Sequence, residues 1–257
     1  MDLEFAAGEP LPTKAYPPRP QQTLCFYPKE PEGNQFQNSN KIVRLRTSLM
    51  GQQTITCHRH TPRNFMIFMV VFQPGILHRL TKIPADELNN CFLDAEFILG
   101  NELNFINEQL FHASSYTQMV AVVEKYLVSL IIKSRKTMHP VDKIGQLMQN
   151  MQNSNQYHSI DWFCQQACLS PRQFERKFKE RMGVSPKHYA RIIRFDRVFR
   201  MKNRYPEKDW LTLALYSGYH DYQHLVKEYQ DFTGFTPNQF YALELKAPER
   251  RFGDVEI

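Results

Sequence analysis

The sequence predicts an α+β protein: a β-rich N-terminal domain followed by helices, then an all-α C-terminal domain with two helix-turn-helix subdomains joined by a long helix. Three observations carry this reading. Short β-branched and aromatic segments, broken by proline and glycine, fill the stretch from about residue 20 to 80. From Pro84 apolar residues recur at helical spacing, and the helical pattern resumes beyond Pro140 and runs to about residue 246. Within that last stretch a unit is repeated. The expected domains are therefore 1–135 (strands about 20–80, helices about 84–133) and 140–246, with 247–257 a loose tail rich in proline, glycine and charge.

Composition agrees with two globular domains. The chain has 257 residues, of which 42% are apolar and 23% charged. Its five cysteines include no C-x-x-C pair, which points away from a disulfide framework and from a zinc knuckle. Cys164 and Cys168, four apart, are read as buried small apolar residues sharing a helical face. Reduced thiols fit a cytoplasmic protein. The acidic start Met1-Asp2-Leu3-Glu4 is not expected to be a secretory signal. The longest apolar run, 65–72, has eight residues and is too short to span a bilayer, so no membrane association is expected.

Along the chain, Leu24-Cys25-Phe26-Tyr27, Ile42-Val43-Arg44-Leu45 and the run 65–72 read as strands, the third closed by a turn at Pro74-Gly75. Asp86 and Glu87 follow Pro84 as acids in a first helical turn. Leu103, Ile106 and Leu110 repeat at helical spacing. Met119, Val122, Val123, Tyr126, Leu127, Leu130 and Ile131 form an apolar stripe that serves a core or a dimer face. The segment 134–139 reads as a polar linker.

The repeat has an offset of 51 residues. Phe174, Phe178, Gly183, Pro186 and Tyr189 correspond to Leu225, Tyr229, Gly234, Pro237 and Phe240, and Ser185 corresponds to Thr236. In the first copy Ser159 caps a short helix, and a turn at Cys168-Leu169 follows. Ser170-Pro171-Arg172-Gln173 then opens a second helix with a capping box and a proline at its first position. Gly183 ends it. In the second copy Asp209 and Asp221 are the caps, Gly218-Tyr219-His220 the turn and Gly234 the stop. Two short helices joined by a tight turn form a helix-turn-helix. Between residues 170 and 204 twelve basic residues face three acidic ones, a net +9, against +6 for the whole chain. A DNA duplex carries one negative charge per ~1.7 Å, so charge concentrated in this way points to DNA.

The string Ser170-Pro171-Arg172-Gln173-Phe174, with Phe178, Gly183-Val184-Ser185-Pro186 and Tyr189, resembles the first unit of AraC/XylS-type transcription regulators. Gly218-Tyr219-His220-Asp221-Tyr222-Gln223-His224-Leu225, with Tyr229, Thr233-Gly234-Phe235-Thr236-Pro237 and Phe240, is similar to their second. The resemblance covers about residues 140–245; Leu225 and Tyr229 depart from it only in standing where phenylalanine is frequent. It implies two subdomains joined by a long helix from Pro186 to about Arg204, with recognition helices in successive major grooves about one turn apart. It also implies an N-terminal domain that senses a ligand or dimerises.

Phe174 and Phe178 must face the core, which leaves Arg172, Gln173, Glu175, Arg176 and Lys179 to reach DNA from the first recognition helix. Tyr222, Gln223, His224 and Lys227 occupy the matching positions on the second. Arginine suits guanine O6 and N7, and glutamine suits adenine. Arg191, Arg194, Arg197 and Arg200 recur every three residues on the linking helix, as phosphate contacts or as braces to acids such as Asp196. In the N-terminal domain His58 and His60 would share a strand face but lack a third ligand, so neither metal nor cofactor is expected. Phe65, Met66, Phe68, Met69 and Phe72 are assigned to core, with a pocket lining as the alternative.

The expected function is sequence-specific, non-enzymatic regulation of transcription. The partners are double-stranded DNA, with RNA polymerase, a small-molecule effector and a second copy of the chain as further candidates. The resemblance brings one enzymatic alternative, alkyl-transfer DNA repair, because some such proteins carry this module. Its chemistry needs a reactive cysteine in a zinc-type cluster, which the isolated Cys25, Cys57 and Cys91 do not supply. A non-specific architectural DNA binder is the third reading, and two full recognition helices argue against it.

Overall fold

A computed structural model describes residues 2–135, 143–153, 158–247 and 250. The expected linker beyond residue 135 and most of the tail lie outside the described residues. The N-terminal domain contains β1 (Asp2–Glu4), β2 (Thr13–Tyr16), β3 (Gln22–Phe26), β4 (Gly33–Phe36), β5 (Thr47–Met50), β6 (Cys57–His60), β7 (Asn64–Met66), β8 (Phe68–Phe72) and β9 (Phe92–Asp94). They pair antiparallel as β1-β7, β2-β6-β4 and β8-β3-β5-β9. Strand β3 is buried on both faces, and its alternation serves two cores. Leu24 and Phe26 join Leu49, Leu103, Leu110, Val123 and Tyr126 under the helices. Cys25, with Tyr27 beyond the strand end, joins Leu3, Phe5 and Phe65 on the other side.

Four helices complete this domain: α1 (Ile76–Thr81), α2 (Ala95–Leu99), α3 (Glu102–Phe111) and α4 (Tyr116–Arg135). The structure departs from the sequence pattern at several places. Residues 42–45 form no strand; Val43 makes a single bridge to Asn34, and Ile42 is 45% exposed. The strand begins instead at Thr47, where buried Thr47 and Ser48 hide the apolar pattern and Asn107 donates to the Thr47 hydroxyl at 2.6 Å. The run 65–72 is two strands, because β7 pairs with β1 whereas β8 pairs with β3. Residues Ala85–Leu88 make only one 3-10 turn. On α4 the stripe is buried at Val123 and Tyr126, but Ile131 is exposed along with Val128 and Ile132.

The C-terminal domain is helical: α5 (Lys143–Asn153), α6 (Ile160–Ala167), α7 (Pro171–Met182), α8 (Pro186–Arg204), α9 (Trp210–Tyr216), α10 (Tyr222–Thr233) and α11 (Pro237–Glu244). It has two cores. One gathers Phe163, Phe174, Phe178 and Tyr189; the other gathers Phe195, Leu213, Leu225, Tyr229 and Phe240. Helix α8 belongs to both, through Tyr189 and Ile193 to the first and through Ile192, Phe195, Val198 and Phe199 to the second. The repeat holds in three dimensions. The Phe178 and Tyr189 rings lie 5.6 Å apart, and their counterparts Tyr229 and Phe240 lie 6.2 Å apart. Cys164 is buried as expected, but Cys168 is exposed: α6 stops before it, and at φ 55° it turns out of the helix as the C-cap.

Candidate nucleic-acid interface

Helix α7 starts as its sequence requires. The Ser170 side chain accepts from the Gln173 N–H, and the Gln173 side chain accepts from the Ser170 N–H at 3.1 Å. Phe174 and Phe178 point into the core, and this turns Arg172, Gln173, Glu175, Arg176 and Lys179 outward, all exposed. The Gln173 carbonyl is engaged in the cap. Lys179 lies 3.7 Å from Asp86 of the N-terminal domain, a partner that no sequence pattern indicated.

Helix α10 presents the second set. Asp221 accepts from the His224 N–H at 2.7 Å, and Leu225 and Tyr229 are buried. Gln223 and Lys227 are exposed, whereas Tyr222 and His224 are half-buried. Tyr222 packs against the second core. The His224 ring meets the edge of Tyr219 at 5.2 Å and stacks on His220 at 6.1 Å. His224 and Lys227 also line a cleft with Lys187, Arg191 and Arg194 of α8, so the outer face of α10 continues onto the linking helix.

The arginines of α8 act mainly as braces. Arg191 bonds Glu228 at 2.6 Å and Asp231 at 2.7 Å, and Arg194 bonds Glu228 at 2.7 Å. Glu228 is buried, so its charge depends on these partners. Arg200 pairs with Asp196 one turn away at 2.7 Å. The three-residue arginine spacing signalled a charged stripe; the buried acid on the neighbouring helix had no signal of its own. Next to Arg191, burial and that guanidinium hold His188 below the ordinary histidine pKa, with Glu228 opposing.

The N-terminal domain holds a cavity of about 440 Å³. Leu3, Phe65, Met66, Phe68 and Met69 give it an apolar wall, so four of the five residues assigned to core also face this space. Phe72 belongs to the core under the helices. The polar end is built from Lys14, Tyr16, Glu32 and Arg59. Arg59 lies 3.7 Å from the centre of the Tyr16 ring and 3.5 Å from Glu32. Lys14 pairs at 3.5 Å with Glu244 on α11, a contact from the cavity to the DNA-binding domain. His58 and His60 lie on β6. The His60 ring reaches Thr13 and Gln35, each at 3.2 Å. Among the described residues no group of three or more histidines, cysteines or acids could hold a metal. Among them, too, no helix is long and apolar enough to cross a membrane.

Residues 163–242 match the model of a helix-turn-helix domain. The whole fold resembles that of apo ToxT from Vibrio cholerae, crystallised as a single-site variant, with a TM-score of 0.51 at 11% identity over 94% of this chain and 95% of that one. It is also similar to wild-type ToxT from Vibrio cholerae bound to an unsaturated fatty acid, with a TM-score of 0.50 at 11% identity over 91% of each chain. No curated protein matches the sequence significantly.

Two repeated helix-turn-helix units, whose second helices face outward and of which α7 is strongly basic, make this chain a DNA-binding transcription regulator. The strings opening α7 and α10 resemble those of AraC/XylS-type regulators and fall within the matched helix-turn-helix domain.

Proposed function

We propose that the chain reads two adjacent major grooves and that the cavity in its N-terminal domain takes an effector. One observation carries the first part: equivalent faces of two repeat-related helices, α7 and α10, stand exposed over separate buried cores. Arg172 and Arg176 are the guanine readers and Gln223 the adenine reader. Glu175 accepts from cytosine. Lys227 and His224, beside the α8 cleft, hold phosphate, and Gln173, Lys179 and Tyr222 divide between positioning and packing. The domain division falls near residues 135–140. Selection of bound duplexes from a random library at ~150 mM salt tests this. Two short half-sites about 10 base pairs apart are expected. Binding without any motif, lost as salt rises, would overturn it.

For the effector, the apolar wall ends at Lys14 and Arg59, now paired with Glu244 and Glu32, and suits an amphiphile whose anionic head takes over one of these pairings. An unsaturated fatty acid, the ligand bound to the structurally similar ToxT, is the first compound to test, by calorimetric titration against the chain and a Met69→Trp variant that fills the wall. Binding to the former alone supports the reading, and equal binding to both removes it.

We also propose that a second copy covers the exposed Phe97, Phe105, Val128, Ile131 and Ile132, which sedimentation would report as a dimer. The alkyl-transfer alternative draws no support from the thiols. Burial raises Cys25 and Cys91 and pushes Cys57 up to about 11, which disfavours the thiolate that such chemistry needs. Non-enzymatic action, in contact with RNA polymerase at a promoter, is the reading we adopt.

A further inference from the structure

We infer that the N-terminal domain acts as a ruler, fixing the separation of the two recognition helices while their reading faces stay open. The inference rests on the double-groove reading above. It begins with the two glycines that the repeat relates, Gly183 and Gly234. Both adopt the left-handed conformation that ends a recognition helix, at φ 81° and φ 76°. The N-terminal domain meets the chain at both places. Asn89 donates to the Gly183 carbonyl at 2.6 Å, and a Cβ on Gly183 would come within 2.7 Å of the Ala85 carbonyl oxygen. At the second copy Thr56 donates to the Phe232 carbonyl at 3.0 Å, and a Cβ on Gly234 would lie 2.9 Å from Gln37.

Between these two grips lies a third. Arg19 is 3.8 Å from Asp196, midway along α8, and both side chains are largely buried. The N-terminal domain therefore touches the first unit, the linking helix and the second unit in turn. The contacts come from segments distant in sequence, the turn at Asn89, the loop at Arg19 and the β4–β6 region, and hydrogen bonds tie these together: Asn90 with Thr54, and Gln52 with the Arg19 carbonyl.

The linking helix alone is a weaker spacer. It has 19 residues and spans about 28 Å. The two units it joins have separate cores, so bending α8 would move one recognition helix relative to the other. Three fixed points on a second body resist that bending. The grips hold the C-terminal ends of α7 and α10, whereas Arg172, Arg176 and Gln223 lie exposed in the N-terminal halves. The docked domain thus leaves Arg172, Arg176 and Gln223 available to DNA and engages only Lys179, through Asp86, among the outward residues named on α7.

The test uses the full chain, spin-labelled at Glu180→Cys and Gln230→Cys, with Cys91→Ser and Cys168→Ser to remove the more accessible thiols. Pulsed spin–spin distance measurement on the free protein should give one narrow distribution. Reversing two docking charges with Lys14→Glu and Arg19→Glu should broaden it while helical circular dichroism is retained. Asn89→Ala with Thr56→Val is the milder second variant and should broaden it less. An unchanged distribution in whichever of these variants folds overturns the inference, because α8 then sets the separation by itself. The DNA arm follows the same logic. Inserting one base pair between half-sites should cost the parent chain about tenfold in affinity and the undocked variant about threefold or less. Equal penalties overturn the inference. A parent chain that selects no DNA motif removes the groove reading instead, and leaves the distance measurement to decide the ruler.

Discussion

His188 illustrates what a single side chain contributes. It sits half-buried at the start of α8, against the Phe232 ring at 5.8 Å, and its Nε2 has no hydrogen-bond partner among the described residues. Burial, then Arg191, lowers its pKa in the folded protein. Below about pH 6.5 the unfolded chain therefore takes up a proton that the folded chain refuses, and stability falls as pH drops through that value. The expected outcome is a lower urea midpoint at pH 5 than at pH 7, with a smaller loss in His188→Gln. An identical loss in both proteins would show that other groups carry it. Lys202 is the opposite case. Its ammonium is buried, donating to the carbonyls of Pro206 and Lys208 at 2.7 Å each, over the Trp210 ring at 5.1 Å. Replacing it with alanine should cost about 2–3 kcal/mol in chemical denaturation, since two carbonyls lose a charged donor. A cost near zero would mean that water replaces the amine.

At the scale of elements, the helix starts of the C-terminal domain were legible because caps are local chemistry. Ser159, Ser170, Ser185, Asp209, Asp221 and Thr236 each accept from a backbone N–H near the start of the helix they open. Ser170→Ala should destabilise by about 1 kcal/mol and weaken DNA binding in step, because α7 frays at its reading end. Arg176→Ala should leave the melting temperature unchanged and cost about 1–3 kcal/mol of discrimination at one base pair. If it lowered affinity equally for every sequence, Arg176 would be a phosphate contact. The strands were harder to read. Alternation fails where buried positions are polar, as at Ser48 and at Thr47, whose hydroxyl is held by Asn107 some 60 residues away. The candidate site shows the same division. Which residues of α7 face outward followed from Phe174 and Phe178 beneath them; on α10 Leu225 and Tyr229 gave the same face, but Tyr222 and His224 are half-buried there. That Lys179 meets Asp86, or that Arg191 and Arg194 are held by a buried Glu228, depended on contacts between elements that no local pattern encodes.

For the whole molecule, the cavity and the second helix-turn-helix share one buried ion pair. Lys14 and Glu244 lie 3.5 Å apart with side chains 4% and 1% exposed. Two charges at that depth have lost their hydration, and their mutual attraction only partly replaces it. Removing one partner is thus far more damaging than removing both. Lys14→Met should destabilise the chain by about 3–5 kcal/mol, because the buried Glu244 carboxylate loses a cation 3.5 Å away. Combining it with Glu244→Leu should recover most of that loss, and the double variant should fold with both domains docked. Urea denaturation of the two single variants and the double variant supplies the cycle. Additive losses would mean that Lys14 and Glu244 act through separate contacts, and the ion pair would then carry no coupling between the cavity and α11. Strong recovery would place that coupling at this pair.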